Sequence, residues 1–269
     1  METVLGLRIT TWNANSIRLR ESCLRRIVAE IRPDVLCLQE IKVENERFPA
    51  ELCRDLGFDH LHVHGQKAYH GVAVLSKLPL DQCHSRHWCG IEHSRHAICT
   101  LPGGIELHDF YIPAGGDIPD PALNPKFRHK LDMLAELTDW LTMRRGDGAR
   151  MVLVGDLNIA PLETDVWSHR QLLNVVSHTP VETAALLRMQ AAYGFVDAVR
   201  AIIPPSEKLY TWWSYRAQDW DASDRGRRLD HIWLSPELAP NLVTAEVERA
   251  ARGWDGPSDH VPVTVELAV

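Results

Sequence analysis

The chain has 269 residues, 45% of them hydrophobic and 24% charged, so it can bury a substantial core and is neither disordered nor fibrous. Its 36 acidic residues against 29 Lys and Arg give a formal net charge of −7, which argues against a polybasic nucleic-acid coat or a membrane-surface protein. No run approaches the roughly 18 apolar residues of a membrane span, the opening Met-Glu-Thr-Val lacks the basic and apolar regions of a secretory signal, and the six cysteines (Cys23, Cys37, Cys53, Cys83, Cys89, Cys99) include no CxxC pair, so a cytoplasmic protein with reduced thiols is expected.

In chain order, a β-branched run predicts a first strand over Leu7–Trp12. Leu24, Ile27, Val28 and Ile31 then fit one helical stripe, which Pro33 stops. Strands follow at Val35–Leu38, Gly71–Leu75, Ala97–Leu101 and Ile105–Ile112. Phe127, Leu131, Leu134, Leu137 and Leu141 predict a second helix ending near Gly146. A strand at Met151–Val154 precedes a third helix from about Glu182 to Tyr193, closed by Gly194. The last strands are His231–Leu234, Val243–Val247 and Val261–Leu267. No linker or repeat interrupts the chain. Strands outnumber helices and are often adjacent, which favours an α/β sandwich of mixed sheets over a doubly wound parallel sheet.

Polar residues gather at the ends of these strands. Leu7–Trp12 runs into Asn13 and Asn15, Val35–Leu38 into Gln39 and Glu40, Ile105–Phe110 into Tyr111, and Met151–Val154 into Gly155, Asp156 and Asn158. Asp230 opens a later strand, and Ser258, Asp259 and His260 precede the last. If these ends meet on one rim, they form a cleft of carboxylates, amides, an imidazole and a phenol. Oxygen donors without thiolates suit Mg²⁺ or Mn²⁺ rather than a structural zinc. Singly, each has a plainer reading: Asp156 caps a turn, Glu40 is a solvated rim charge, and Asp259 with His260 is a cap or core feature. Ser258-Asp259-His260 is not a serine triad, because sequence neighbours point in different directions and no GxSxG elbow is present. The alternating His60, His62 and His64 read as one face of a strand or loop, not a metal site.

Seven segments occur together: Trp12-Asn13-Ala14-Asn15-Ser16-Ile17-Arg18, Pro33 to Lys42, Gly71 to Lys77, Tyr111-Ile112-Pro113, Gly155-Asp156-Leu157-Asn158-Ile159-Ala160-Pro161, Asp230 to Ser235, and Ser258-Asp259-His260. In this order, across nearly the whole chain, they resemble the exonuclease III family of the endonuclease/exonuclease/phosphatase superfamily. Thr211-Trp212-Trp213-Ser214-Tyr215-Arg216 and Gly226-Arg227-Arg228-Leu229-Asp230 are similar to its DNA-repair branch. The resemblance implies one domain over residues 1–269. Its fold would be a four-layer α/β sandwich, two mixed, mainly antiparallel β-sheets flanked by helices, as in DNase I.

The activity it implies is Mg²⁺-dependent hydrolysis of duplex DNA, with Mn²⁺ as a substitute ion. That covers 3′→5′ exonuclease action, removal of 3′-phosphates and other 3′-blocks, and incision 5′ to abasic sites by a monomer. By position, Glu40 resembles the principal metal ligand, with Asn13, Asn15 and Asp259 near the metal or phosphate. Asp156 matches the residue that activates or orients the attacking water, Asn158 the one that holds that residue and the phosphate, and His260 paired with Asp230 the group that stabilises the phosphoryl oxygen. Tyr111 matches a tyrosine near the scissile phosphate. Trp212 matches the wall of a pocket for a flipped-out abasic sugar, with Leu229 opposite and Arg216, Arg225, Arg227 and Arg228 around it as phosphate contacts.

The chemistry asks for such a set independently. Phosphodiester hydrolysis needs an activated water, neutralised charge on phosphorus and a stabilised leaving oxygen, to which a divalent ion contributes as Lewis acid and template. Asp156 would be the base, and Asp230 would fix the tautomer of His260 and favour its imidazolium. Six aromatic residues fall between Tyr210 and Trp233, and alternation puts Trp213 and Tyr215 on a core face with Trp212 on the other. An apolar pocket there favours a sugar without a base, since little stacking is broken on extrusion.

Ala114-Gly115-Gly116-Asp117 stands where the family pattern has an amide, so one phosphate-facing hydrogen bond is missing or supplied elsewhere. The charge of −7 can coexist with a local basic footprint at Lys126, Arg128 and Lys130 and at Arg225 to Arg228, and predicts weak, salt-sensitive non-specific DNA binding. Two other readings remain: a phosphatase or phosphodiesterase of the same superfamily acting on a lipid or small phosphate ester, and a DNA-binding module without catalysis. The Trp212–Arg216 region argues against the first, and a competent residue at every catalytic position argues against the second.

Overall fold

Hydrophobic strands with apolar residues on both faces must be covered on both faces, and that requirement organises this molecule. The computed structural model describes residues 6–269, so the Met-Glu-Thr-Val start lies outside the described residues. One six-stranded sheet contains β1 (Gly6–Asn13), β2 (Val35–Gln39), β3 (His60–His64), β4 (Val72–Ser76), β13 (Leu242–Val247) and β14 (Val263–Ala268), in the order β13-β14-β1-β2-β4-β3. The other contains β5 (Asp81–Ser85), β6 (His96–Leu101), β7 (Ile105–Tyr111), β8 (Met151–Asp156), β9 (Val196–Asp197) and β12 (Asp230–Leu234), in the order β5-β6-β7-β8-β12-β9. Each sheet has one parallel pair, β1 with β2 and β7 with β8, and its remaining pairs are antiparallel.

Alternation along each strand builds the layers. Val35 and Cys37 of β2, Val152 and Val154 of β8, and Val263 and Val265 of β14 meet in the core between the sheets. Leu36 and Leu38 face the other way, onto Leu24 and Ile27 of α1 (Glu21–Glu30) and Cys53 of α2 (Ala50–Asp55). Met151 and Leu153 likewise pack under α3 (Pro125–Arg144) and α5 (Pro180–Tyr193), through Leu134, Leu137, Leu186 and Met189. The result is the expected four-layer sandwich of two mixed sheets between helices.

Local chemistry sets the helix ends. Asn124 caps α3 by accepting from Lys126 N (3.0 Å) ahead of Pro125, and Thr179 with Glu182 forms a capping box on α5 ahead of Pro180. Gly194 ends α5 in the left-handed conformation (φ 96°). The edge strands β3 and β5 had weak signals: β3 is half-buried throughout, and β5 is polar and exposed. His62 joins these two edges through Ser85 Oγ at 3.2 Å and the His84 carbonyl at 3.0 Å. The four-residue helices α4 (His169–Leu172) and α7 (Trp220–Ser223), the short α6 (Ala198–Ile202) and the two-residue ribbon strands β10 (Trp212–Trp213) and β11 (Gly226–Arg227) carry too few residues for a periodic signal. No helix among the described residues is long and apolar enough to cross a membrane.

Topology brings the polar strand ends together. The parallel pairs β1/β2 and β7/β8 put Asn13 opposite Gln39 and Tyr111 opposite Asp156 at their carboxyl ends. Antiparallel β12 puts Asp230 opposite Asp156, and antiparallel β14 brings the preceding Asp259 and His260 to the same rim.

Candidate active site

The backbone at this rim is unusually constrained. Asn15 (φ 44°), Glu40 (φ 49°), Lys42 (φ 53°) and Asn158 (φ 55°) all adopt left-handed conformations. Asparagine tolerates this region, whereas Glu40 and Lys42 need their surroundings to hold them there. Just before Asp156, Gly155 has φ 137°, and a Cβ there would lie 1.9 Å from the Phe110 carbonyl oxygen, so only glycine lets β8 approach β7 this closely.

Asn13 ties two carboxylates together. Its buried amide Nδ2 donates to Glu40 Oε1 and to Asp156 Oδ2, both at 2.9 Å, while its Oδ1 accepts from Asn15 N at 3.0 Å. Glu40 also accepts from the Tyr111 hydroxyl (2.8 Å) and pairs with Lys42 Nζ (2.7 Å). Burial pushes its carboxyl up, but Lys42 and the Asn13 amide outweigh this and hold it below the usual range. Asn15 donates to Asp259 Oδ1 (2.9 Å) and accepts from Lys42 (2.5 Å), and the Trp212 indole donates to Asp259 Oδ2 at 3.0 Å. Both asparagines thus spend their carbonyl oxygens inside the protein and orient carboxylates with their N–H groups.

Asp156 accepts from Asn158 N (2.9 Å) and Asn158 Nδ2 (3.0 Å), and Asn158 Nδ2 also reaches the Ile112 carbonyl at 2.9 Å. His260 Nδ1 donates to Asp230 Oδ2 at 2.8 Å, which leaves Nε2 facing Asp156 Oδ2 at 3.7 Å, beyond hydrogen-bond reach. Thr211 Oγ1 donates to the same Asp230 oxygen (2.6 Å) and accepts from the backbone of Leu229 and Asp230. Burial opposes the imidazolium, yet Asp230 and Asp156 raise His260 to about 10. Burial also raises Asp156, to about 7; His260 pulls it down, and Asp230 pushes it up. Tyr111 is driven well above its ordinary value by burial and by Glu40, so its O–H remains a donor.

Beside these groups lies a cleft of about 290 Å³ whose walls include Glu40, Ala114, Asn158, Trp212, Leu229 and His260. Arg227 also lines it, 5.3 Å over the Trp212 ring, and donates to Ser177 Oγ at 2.8 Å. The donor set fits a hard divalent cation. Four carboxylates, Glu40, Asp156, Asp230 and Asp259, face Lys42 and the imidazolium of His260 here, and among the described residues buried Asp230 Oδ1 has no hydrogen-bond partner.

Several expected contacts lie elsewhere. Arg228 is buried, its guanidinium held by Asp165 (2.8 and 3.0 Å) and Asp197 (2.7 Å), and it does not line the cleft. Arg216 is exposed on the loop after β10 and does not line the cleft. Lys130 is buried on α3, and Arg225 is exposed, over the Trp167 ring at 4.8 Å. Trp213 is in the core as expected. Tyr215 is not; it is about half exposed (47%), its hydroxyl donating to the Pro257 carbonyl and accepting from Arg20.

Sequence reasoning gave no role to Lys42, although it follows Glu40 by two residues, nor to Thr211, whose hydroxyl aligns Asp230. Arg95 had no sequence signal. It is buried, stacks 4.8 Å from the Tyr111 ring and donates to the Tyr111 carbonyl at 3.1 Å.

Residues 10–260 match the model of the Endonuclease/Exonuclease/phosphatase family. The chain is 31% identical to Exodeoxyribonuclease III of Haemophilus influenzae, over 97% of this chain and 100% of that protein. Its fold is similar to that of an AP endonuclease from Archaeoglobus fulgidus, with TM-score 0.90, 31% identity and coverage of 98% and 100% of the two chains. It is also similar to a 3′ phosphatase from Neisseria bound to a product DNA hairpin, with TM-score 0.88, 31% identity and coverage of 97% and 99%.

Proposed function

The chain belongs to the endonuclease/exonuclease/phosphatase family, and on that premise we propose that it is a Mg²⁺-dependent DNA repair nuclease of the exonuclease III type. Its substrates are abasic and 3′-blocked duplex DNA, on which it acts as a cytoplasmic, monomeric, single-domain enzyme. The observation that carries this reading is the union of two features in one cleft: an oriented set of acids with His260, and an apolar wall of Trp212 and Leu229 crossed by Arg227. A sugar without a base fits such a wall, because little stacking opposes its extrusion.

Glu40 and Asp259 would hold the divalent ion, with Asp156, Asp230 and His260 close by; when bound, it supplies Lewis-acid polarisation and offsets charge on the phosphoryl oxygens. Asn13 and Asn15 orient these carboxylates. With its pKa raised to about 7, Asp156 takes the proton of a water as the water oxygen bonds to phosphorus. The bond from phosphorus to the 3′ oxygen breaks, and that oxygen leaves with the bonding pair and takes a proton from solvent water to become the 3′-hydroxyl. His260, cationic at neutral pH, donates from Nε2 to a phosphoryl oxygen while Asp230 keeps its tautomer fixed. Tyr111 holds Glu40, and Asn158 holds Asp156. Abasic incision, exonuclease cleavage and 3′-phosphate removal share this 3′ leaving oxygen, so one site serves all three.

One labelled duplex set tests the reading: an internal abasic analogue, a recessed end and a 3′-phosphate end, each with Mg²⁺ and with EDTA. Metal-dependent release of 3′-hydroxyl ends is expected. Binding without cleavage would instead mean an inactive DNA-binding module. The Trp212→Ala variant probes the pocket: abasic incision should fall on the order of tenfold to a hundredfold in kcat/KM, and 3′-phosphate removal by less, because the two share only the indole bond to Asp259.

A further inference from the structure

The seam between α3 and α5 is apolar along Leu134, Leu137, Leu186 and Met189, yet it buries one ion pair completely. Lys130 and Glu182 are each 0% exposed, with Lys130 Nζ 2.5 Å from Glu182 Oε1. A buried pair of this kind rarely stabilises a fold more than well-packed apolar residues would, so its contacts matter more than its charge. An ammonium has three donors, and this one spends all three: on Glu182, on the Asn158 carbonyl at 2.8 Å and on the Ala114 carbonyl at 3.3 Å. Glu182 in turn accepts from Ser177 N at 2.9 and 3.0 Å, Thr179 N at 3.2 Å and Thr179 Oγ1 at 2.6 Å.

Those partners belong to three separate loops, after β7, after β8 and before α5, and all three line the cleft through Ala114, Asn158 and Ser177. Two of them carry left-handed residues that are not glycine, Asn158 (φ 55°) and Ser177 (φ 86°), and such backbones persist only where neighbours hold them. From Asn158 the connection runs to Asp156, and from Ser177 Oγ to Arg227 above Trp212.

We propose that Lys130 and Glu182 form a positioning pair that sets the water-activating side and the sugar-pocket side of the cleft from behind, through the backbones of Asn158 and Ser177. This rests on the nuclease reading for its kinetic consequence and on geometry alone for its structural one. Neither residue touches substrate. A small displacement of a reacting group costs on the order of a hundredfold in rate.

The test compares the parent protein with Lys130→Met and Glu182→Gln, each held below its own unfolding transition and checked for native near-ultraviolet dichroism. Amide exchange is followed over residues 112–116, 156–160 and 175–179, and kcat and KM are measured on a 3′-phosphate duplex. Lys130→Met should speed exchange in these segments about tenfold or more, with β6 and β7 still protected. Its kcat should drop about a hundredfold with KM within about threefold of the parent. Glu182→Gln keeps the side-chain shape, should show the same pattern at about tenfold in kcat, and carries the test if Lys130→Met does not fold. Unchanged exchange, or faster exchange with unchanged kcat in an active parent, would overturn the proposal. A parent with no metal-dependent cleavage removes the nuclease reading instead, and exchange then decides the pair's role alone.

Discussion

Asp156 and Asp165 are both essentially excluded from solvent and lie on the same stretch of chain, yet they titrate in opposite directions. Asp165 sits with Asp197 against two guanidinium groups, Arg200 at 2.5 Å and Arg228 at 2.8 Å. Burial pushes its carboxyl up, but the two arginines outweigh burial and hold it below the usual aspartate range. Asp156 sits between Glu40 and Asp230, and burial with Asp230 lifts it to about 7 despite His260. Charge balance turns buried acids into a brace for the fold. An excess of acid, at a rim where the backbone is already constrained, leaves negative charge unbalanced, as the proposed metal-dependent reading requires.

Breaking each cluster should therefore produce opposite phenotypes. The largest effect is expected from Asp156→Asn: kcat falls on the order of 10⁴-fold in single-turnover cleavage, while duplex affinity and the unfolding midpoint stay near the parent's. Asp165→Ala should do the reverse. It leaves Arg228 and Arg200 buried with too few acids, costs about 3–5 kcal/mol in chemical denaturation, and leaves the specific activity of the folded fraction nearly intact. A severe loss of specific activity in folded Asp165→Ala would erase the distinction.

Cation binding gives an intermediate effect. Mg²⁺ at about 100 times its Kd should add about 2.7 kcal/mol to the stability measured in EDTA, and Glu40→Gln should abolish that increment. An equal increment in Glu40→Gln would place the ion away from Glu40.

The gentlest probe is pH, followed as stability without metal. An aspartate with a lowered folded pKa stabilises above its unfolded pKa of about 3.9 and loses that contribution as pH falls through the folded value, so Asp165 gives the stability profile its slope only in acid. The Asp156–His260 pair behaves inversely. Asp156, raised to about 7, weakens the metal-free fold as pH climbs from about 4 to 7, and the contribution of His260, complete below about 6.5, is lost as pH approaches 10. Asp165→Asn should flatten the acid limb of the stability profile, and His260→Gln the alkaline limb. Identical profiles for the two variants would contradict the assignment.

Long strands and helices were legible in the sequence because alternating and 3.6-residue apolar patterns are direct consequences of burial: Val35 to Leu38 faces both ways, and Phe127 to Leu141 faces one. The rim was legible because its residues end strands in sequence, and topology brought those ends together. What stayed hidden depends on contacts distant in sequence. Arg228 looked like one more loop cation, and only its pairing with Asp165 and Asp197 removes it from the walls of the cleft. Lys130 looked like part of a basic footprint, but its place on α3 turns it into the core. Tyr215 follows the alternation of Trp213 in sequence, yet the two-residue strand β10 ends before alternation can carry it inward. Arg95 offered no signal because an arginine ahead of a strand is usually solvated, and only the fold puts it beneath Tyr111.

The most direct measurement is single-turnover cleavage of a duplex with one abasic analogue by the parent protein and by Asp156→Asn, with Mg²⁺ and with EDTA. A 3′-hydroxyl product that forms only with the parent and only with metal is the predicted result. Cleavage that survives EDTA, or an Asp156→Asn rate near the parent's, would contradict the assignment of this rim as a metal-dependent phosphodiesterase.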